Sequence, residues 1–275
     1  MQLIFDRKGL DAIARAHRDR YASNQPFPHV VIDDVLPRAV AEGIVERFPE
    51  PRSLPWRRYD NESEVKLEFQ DETRLDEYLR ETLYQFNSAL FLEFLETLTN
   101  IRGLIPDPYF EGGGLHQIER GGFLNIHADF DHHSRLGLRR RLNVLIYLNR
   151  EWKDEYGGHL ELWDREMRAC VRRIAPTFNR CVIFNTDDQA YHGHPEPLQC
   201  PPGVTRKSLA LYYYTRESTE TRSGGHSTLF RLRPGERPQA KYSQFRRLRR
   251  RVKETGLLFI PPIVLRLYGR LRFPR

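Results

Sequence analysis

At Gly112 the periodicity of the chain changes. Before it, apolar residues recur every three or four positions; after it, short apolar runs alternate with polar positions and are separated by turn signals such as Gly121-Gly122 and Gly157-Gly158. A period of two puts successive side chains on opposite faces, so these runs read as strands, and short strands at this spacing predict an all-β sandwich or barrel. Eight are predicted, over roughly 114–119, 122–128, 141–149, 159–163, 168–174, 180–185, 191–195 and 206–215. Eight short antiparallel strands closing over a ligand cavity point to a double-stranded β-helix, or jelly roll.

The upstream segment reads as support for that core. Leu10, Ile13, Ala14, His17 and Tyr21 follow helical spacing, residues 29–33 form a short strand, and a second helix begins near Pro37, carries Val40, Ile44 and Phe48 on one face and stops before Pro51. Between Leu75 and Leu98 the helical period persists, as one long helix or as two broken near Asn87-Ser88. The fold class is therefore α+β with a mainly β core: residues 1–110 are a helical support region, 111–216 the jelly roll, and 217–275 a basic tail.

Charge divides the same way. Residues 216–275 hold 16 basic and 4 acidic side chains, leaving 28 basic against 33 acidic in the rest. A mildly acidic body with a basic tail argues against a nucleic-acid-binding fold throughout, and no nucleic-acid partner is expected. In the tail, the polybasic stretch Lys241 to Lys253 precedes the apolar run Leu257 to Leu265, which is too short to span a bilayer. Peripheral contact with an anionic membrane is one reading of that pair, and a basic amphipathic helix packed on the core is the other. Cys170, Cys181 and Cys200 match no disulfide or zinc spacing and read as reduced, buried thiols, which together with the lack of a leader-like N-terminus places the expectation in the cytoplasm.

Candidate chemistry gathers on the strands. His127 and Asp129 stand two apart, so imidazole and carboxylate share one face, and His192 or His194 on a later strand offers a third ligand. Two His and one carboxylate form a facial triad that leaves positions open on Fe(II). Arg206 and Ser208 share a face of the last strand, where a guanidinium can hold a carboxylate bidentately; Ala210 continues that face and leaves room, while Leu209, Leu211 and Tyr213 pack on the other. His132, His133 and Arg139 to Arg141 read as a solvated loop at the mouth of the site, His116 as a core or cavity histidine, Tyr212 to Tyr214 as core, and Asp187-Asp188 as a turn.

Six features in order, His127 to Asp129, Tyr147 to Asn149, Gly157 to Leu160, Pro176 to Arg180, His192-Gly193 and Arg206 to Ser208, make the segment 114–215 similar to the Fe(II)- and 2-oxoglutarate-dependent dioxygenases of the prolyl-hydroxylase type. The resemblance implies that His127, Asp129 and His192 ligate iron, and that Arg206, Tyr147 and Ser208 bind 2-oxoglutarate. It implies a hydroxylase that consumes O2, converts 2-oxoglutarate to succinate and CO2, and acts on a peptidyl residue such as proline or on a small natural product. One departure stands out: Leu124 occupies the position, three before the first ligand, where prolyl hydroxylases often have Tyr, and Asn125 is the nearest polar replacement. Two other functions fit parts of the pattern. A cupin-like metalloenzyme would need the triad but neither Arg206 nor Tyr147, and a non-catalytic jelly-roll module held on a membrane or anionic polymer by its tail would need neither triad nor arginine.

Overall fold

The computed structural model describes residues 3–216 and 225–236. The chain divides at Gly235 into two units, and the second, apart from Glu236, lies outside the described residues. The expected polybasic and apolar tail, with its proposed membrane contact, lies there too. Among the described residues no helix is long and apolar enough to cross a membrane.

In chain order the elements are α1 (Arg7–Ser23), β1 (His29–Ile32), α2 (Arg38–Arg47), β2 (Arg57–Asp60), β3 (Glu64–Phe69), α3 (Glu77–Phe86), α4 (Ala89–Thr99), β4 (Ile105–Pro106), β5 (Gly114–Ile118), β6 (Phe123–Ala128), β7 (Arg139–Tyr147), β8 (Leu160–Trp163), β9 (Cys170–Ile174), β10 (Arg180–Asn185), β11 (His192–His194), β12 (Arg206–Thr215) and β13 (Leu229–Phe230). Each of the eight strands expected after Gly112 is present, and the long helical period resolves into two helices. The break is chemical: Ser88 leaves the helical region and its Oγ accepts from Phe91 N, capping α4, while Asp76 caps α3 through Tyr78 N.

The strands run in the order β1-β10-β7-β12-β5-β3-β6-β11-β8-β9, with β13 on β6, β2 on β3 and β4 on β12, and every pairing is antiparallel. The architecture is the expected jelly roll, but its support region is not helical only. β3 pairs with β5 through Leu67↔Gln117 and with β6 through Glu64↔Leu124, so an upstream hairpin seams the two walls together. Likewise β13, inside the stretch expected as tail, lies along β6 with Phe230 opposite His127.

Alternation sorts the residues of the central strands. Leu142, Val144 and Ile146 on β7 and Leu209, Leu211 and Tyr213 on β12 join Leu10, Ala14, Ile44, Phe86, Phe91 and Phe94 of the helices in one buried core. The opposite faces of the same strands, Asn143, Leu145 and Tyr147 with Ser208 and Tyr212, line a cavity. The helical layer thus fixes the strand faces, and through them the site, by burying roughly 1.5 to 3 kcal/mol per large apolar side chain. All three cysteines are free thiols; Cys181 and Cys200 are buried, whereas Cys170 is only partly so.

Candidate active site

The cavity, about 340 Å³, lies between the two walls and contains the residues singled out by sequence. His127 on β6 and His192 on β11 are opposite one another in register, their ring centroids 4.5 Å apart. Each ring is oriented from behind. His127 Nδ1 donates to Asn125 O at 2.9 Å and His192 Nδ1 donates to Ala190 O at 2.9 Å, which leaves both Nε2 lone pairs pointing into the cavity. Both Nε2 atoms converge on Asp129, at 3.5 Å from Oδ1 and 3.5 Å from Oδ2. One ligand atom from each of the three lies within 4.8 Å of the others. Gly193, in the middle of β11, has a backbone reason: a Cβ there would stand 2.8 Å from the carbonyl oxygens of Leu124 and Asn125.

This donor set suits a divalent transition metal. Burial pushes the His192 pKa down to about 4, so that imidazole is neutral at physiological pH, as a ligand must be. Burial by itself would raise the Asp129 pKa, but Arg140, then His192 and His127, hold it well below the usual carboxylate range. Two neutral imidazoles and one carboxylate are the ligands from which a facial Fe(II) site is built. His194 is outside the cluster. It lies opposite Leu124 on the cavity wall, buried, with both ring nitrogens lacking a hydrogen-bond partner among the described residues. Asn125 does not take the place of the missing tyrosine, because its side chain donates to Glu62 O at 3.0 Å and does not line the cavity.

Deeper in the cavity Arg206 is 5% exposed. Its Nε donates to Gly158 O at 2.8 Å and its Nη2 to Tyr147 Oη at 3.3 Å, and the guanidinium lies over the Tyr147 ring at 4.8 Å. Gly158 has φ +68°, and a Cβ there would come within 3.0 Å of Arg206 Cδ, so the Gly157-Gly158 turn is what admits the arginine. No carboxylate pairs with Arg206 among the described residues. A buried cation lacking an anion is costly unless a ligand supplies one. Ser208, buried beside it, is in register with Tyr147 on one side and His116 on the other. His116 lines the same cavity and donates from Nε2 to Gly112 O at 3.1 Å.

Three parts of the site were not foreseen. The first is Arg140, which the sequence placed in a solvated run. Its side chain is 1% exposed, reaches Asp129 Oδ2 at 3.2 Å through Nη2, donates to Asn143 Oδ1 at 2.7 and 3.0 Å, and stacks between Tyr212 at 3.4 Å and Phe130 at 4.4 Å. Asn143 completes the bracket by donating to Asp129 Oδ2 at 2.7 Å. The cause is a bulge: Tyr213 faces Leu142 but Tyr214 faces Arg140, so Arg141 is the extra residue and Arg140 turns inward. His133 does lie in the loop between β6 and β7, but it is not solvated: it is buried, with Nε2 3.0 Å from Asp107 Oδ1. The second is the 225–230 segment. His226 N donates to Asp131 Oδ1 at 2.7 Å and its ring reaches Asp188 at 3.0 Å, bringing Phe230 over His127 at 5.4 Å. The third is the β2–β3 hairpin, which gives the cavity a charged wall.

Residues 113–214 match the family model of the 2OG-Fe(II) oxygenase superfamily. That segment is a 2OG-Fe(II) oxygenase domain. Oxygenases of this family use Fe(II) and 2-oxoglutarate, and the donor set described above fits that pair. In fold the oxygenase is similar to a Trichoplax adhaerens prolyl hydroxylase solved with a hypoxia inducible factor oxygen degradation domain peptide (TM-score 0.53, 17% identity, covering 75% of this chain and 91% of that one). It is also similar to a Pseudomonas putida prolyl-4-hydroxylase (TM-score 0.51, 16% identity, covering 76% and 100%). No curated protein matches the sequence.

Proposed function

We propose that this oxygenase hydroxylates a peptidyl residue such as proline, or a small natural product, with His127, Asp129 and His192 as the iron ligands and Arg206, Tyr147 and Ser208 as the 2-oxoglutarate site. The observation that carries the reading is the pairing, in one cavity, of a His-Asp-His cluster with a buried arginine that has no anionic partner among the described residues. Bound Fe(II), with 2-oxoglutarate and O2, supplies the oxidising chemistry that yields succinate, CO2 and a hydroxylated product.

The protein's own part is positioning. Arg206 pairs with the distal carboxylate of 2-oxoglutarate, Tyr147 donates its phenol proton to the same group, and Ser208 adds a third hydrogen bond. Asn125 O and Ala190 O hold the two imidazoles in the tautomer that presents Nε2. Arg140 and Asn143 fix the carboxylate plane of Asp129. Phe230, Leu145 and Leu160 in the cavity wall limit water at the reacting end. The test is an anaerobic titration of Fe(II) and 2-oxoglutarate that follows the metal-to-ligand charge-transfer absorption, then aerobic succinate formation. Absence of the band with a folded, iron-loaded protein would overturn the reading.

A further inference from the structure

The β2–β3 hairpin turns its polar face inward. Arg57, Tyr59, Glu64, Lys66 and Glu68 all line the cavity, while Leu67 and Phe69 on the other face enter the core. Arg57 is opposite Glu68 and Tyr59 opposite Lys66, so the five side chains form one continuous wall. A sheet face buried against a cavity is ordinarily apolar, and one carrying two cations and two carboxylates has a desolvation cost that only polar partners offset.

Those partners are incomplete. Glu68 is 2% exposed, and burial pushes its pKa up. Its Oε2 accepts from Tyr59 Oη at 3.2 Å, but Arg57 and Lys66 stand off at 3.7 and 3.9 Å, and Oε1 has no hydrogen-bond partner among the described residues. Glu68 lines the cavity, and a buried carboxylate oxygen left without a hydrogen bond is an acceptor for a ligand's donor. Lys66 is held 3.2 Å from Glu64 and lies over the Tyr59 ring at 4.9 Å; Arg57, its side chain 65% exposed, caps the same ring from the rim at 4.8 Å. The wall thus offers an acceptor deep in the cavity and a cation at its mouth, with no net charge. The cavity volume of about 340 Å³ is near the lower limit for ligand sites and must also hold 2-oxoglutarate, so the second occupant is small.

We propose that the β2–β3 wall is the substrate subsite and that the substrate is a small zwitterion of the amino-acid type, its ammonium on Glu68 and its carboxylate toward Lys66 and Arg57. The inference rests on the oxygenase reading above, and the experiment separates the two. Fe(II) and 2-oxoglutarate are added anaerobically first; if the charge-transfer band does not form, it is that reading that fails. With the band present, each free protein amino acid, its N-acetyl and amide forms, and a proline-containing peptide are titrated in turn. At least one free amino acid shifts the band, and blocking either end raises its half-maximal concentration roughly tenfold or more, the loss of one charged contact. Glu68→Gln retains the band and loses the amino-acid response by a similar factor. If that variant loses the band as well, Arg57→Ala, altered at the exposed rim, takes its place and is read by a weakened preference for the free carboxylate over the amide. Silence of every free amino acid, an equal response to the peptide or a blocked form, or a response in the substituted wall equal to that of the parent would each overturn the proposal.

Discussion

Replacing Arg140 with Met separates what its charge does from what its bulk does. The guanidinium is enclosed, with Nη2 3.2 Å from Asp129 Oδ2 and aromatic rings on both faces. At an effective dielectric of about 20, a unit pair about 4 Å apart is worth roughly 4 kcal/mol, and removing one partner of a buried pair typically costs about 3 to 5 kcal/mol. Lost stacking on Tyr212 and Phe130 adds to this, while Met retains much of the packing volume. The metal-free protein should therefore lose about 3 to 5 kcal/mol, which for a domain of this size lowers Tm by roughly 10 °C. Metal binding should move the other way. Without the guanidinium, Asp129 meets a divalent cation with its full charge, so the stabilisation gained on adding Mn(II) should exceed that of the parent. Denaturant unfolding with chelator and with saturating Mn(II) measures both quantities. An unchanged metal-free stability would refute the electrostatic coupling, and a Mn(II) increment that falls with stability would show that Arg140 acts only by holding the carboxylate in place.

His192→Ala should abolish the charge-transfer band whereas His194→Ala should retain it, since only His192 reaches the cluster; the reverse result would reassign the ligand. Arg206→Ala should weaken 2-oxoglutarate binding by about 3 kcal/mol, with Arg206→Lys recovering part of it, read from the concentration dependence of the same band. At the edge of the sheet, Arg180 holds Asp33 and depresses its pKa, a contribution complete above the unfolded pKa and lost as pH falls through the lower folded value. Asp33→Asn should therefore cost only a few tenths of a kcal/mol at neutral pH, given the exposure of the pair, and the difference from the parent should vanish in acid unfolding.

The jelly roll and the inward positions of the candidate site were legible for one reason: strands packed against helices on one face must alternate, and β7 and β12 do so. Motif spacing then placed His127, Asp129, His192 and Arg206 on inward positions. β3 does carry that alternating signal, since Val65, Leu67 and Phe69 interleave with Glu64, Lys66 and Glu68, whereas β2, Arg57 to Asp60, has no apolar face to mark it. Arg140 escaped because a single bulge in β7 reverses the face of every residue before it, and nothing local marks Arg141 as the extra residue. His133 depends on Asp107, 26 residues away, a partner invisible to any local pattern.

The hairpin that seams β5 to β6 lies outside the stretch matched by the family model, which begins at residue 113. A polypeptide cut to the motif-bearing region would carry the whole His-Asp-His cluster and yet leave β5, β6 and β10 each with an unpaired edge, the circumstance in which sheets add to one another instead of remaining monomeric. Closure and recognition are thus encoded in the same few residues: Leu67 and Phe69 anchor the strand that presents Lys66 and Glu68. Exchange of this hairpin between relatives would transfer a recognition surface with its own mechanical fastening, leaving the His-Asp-His cluster untouched.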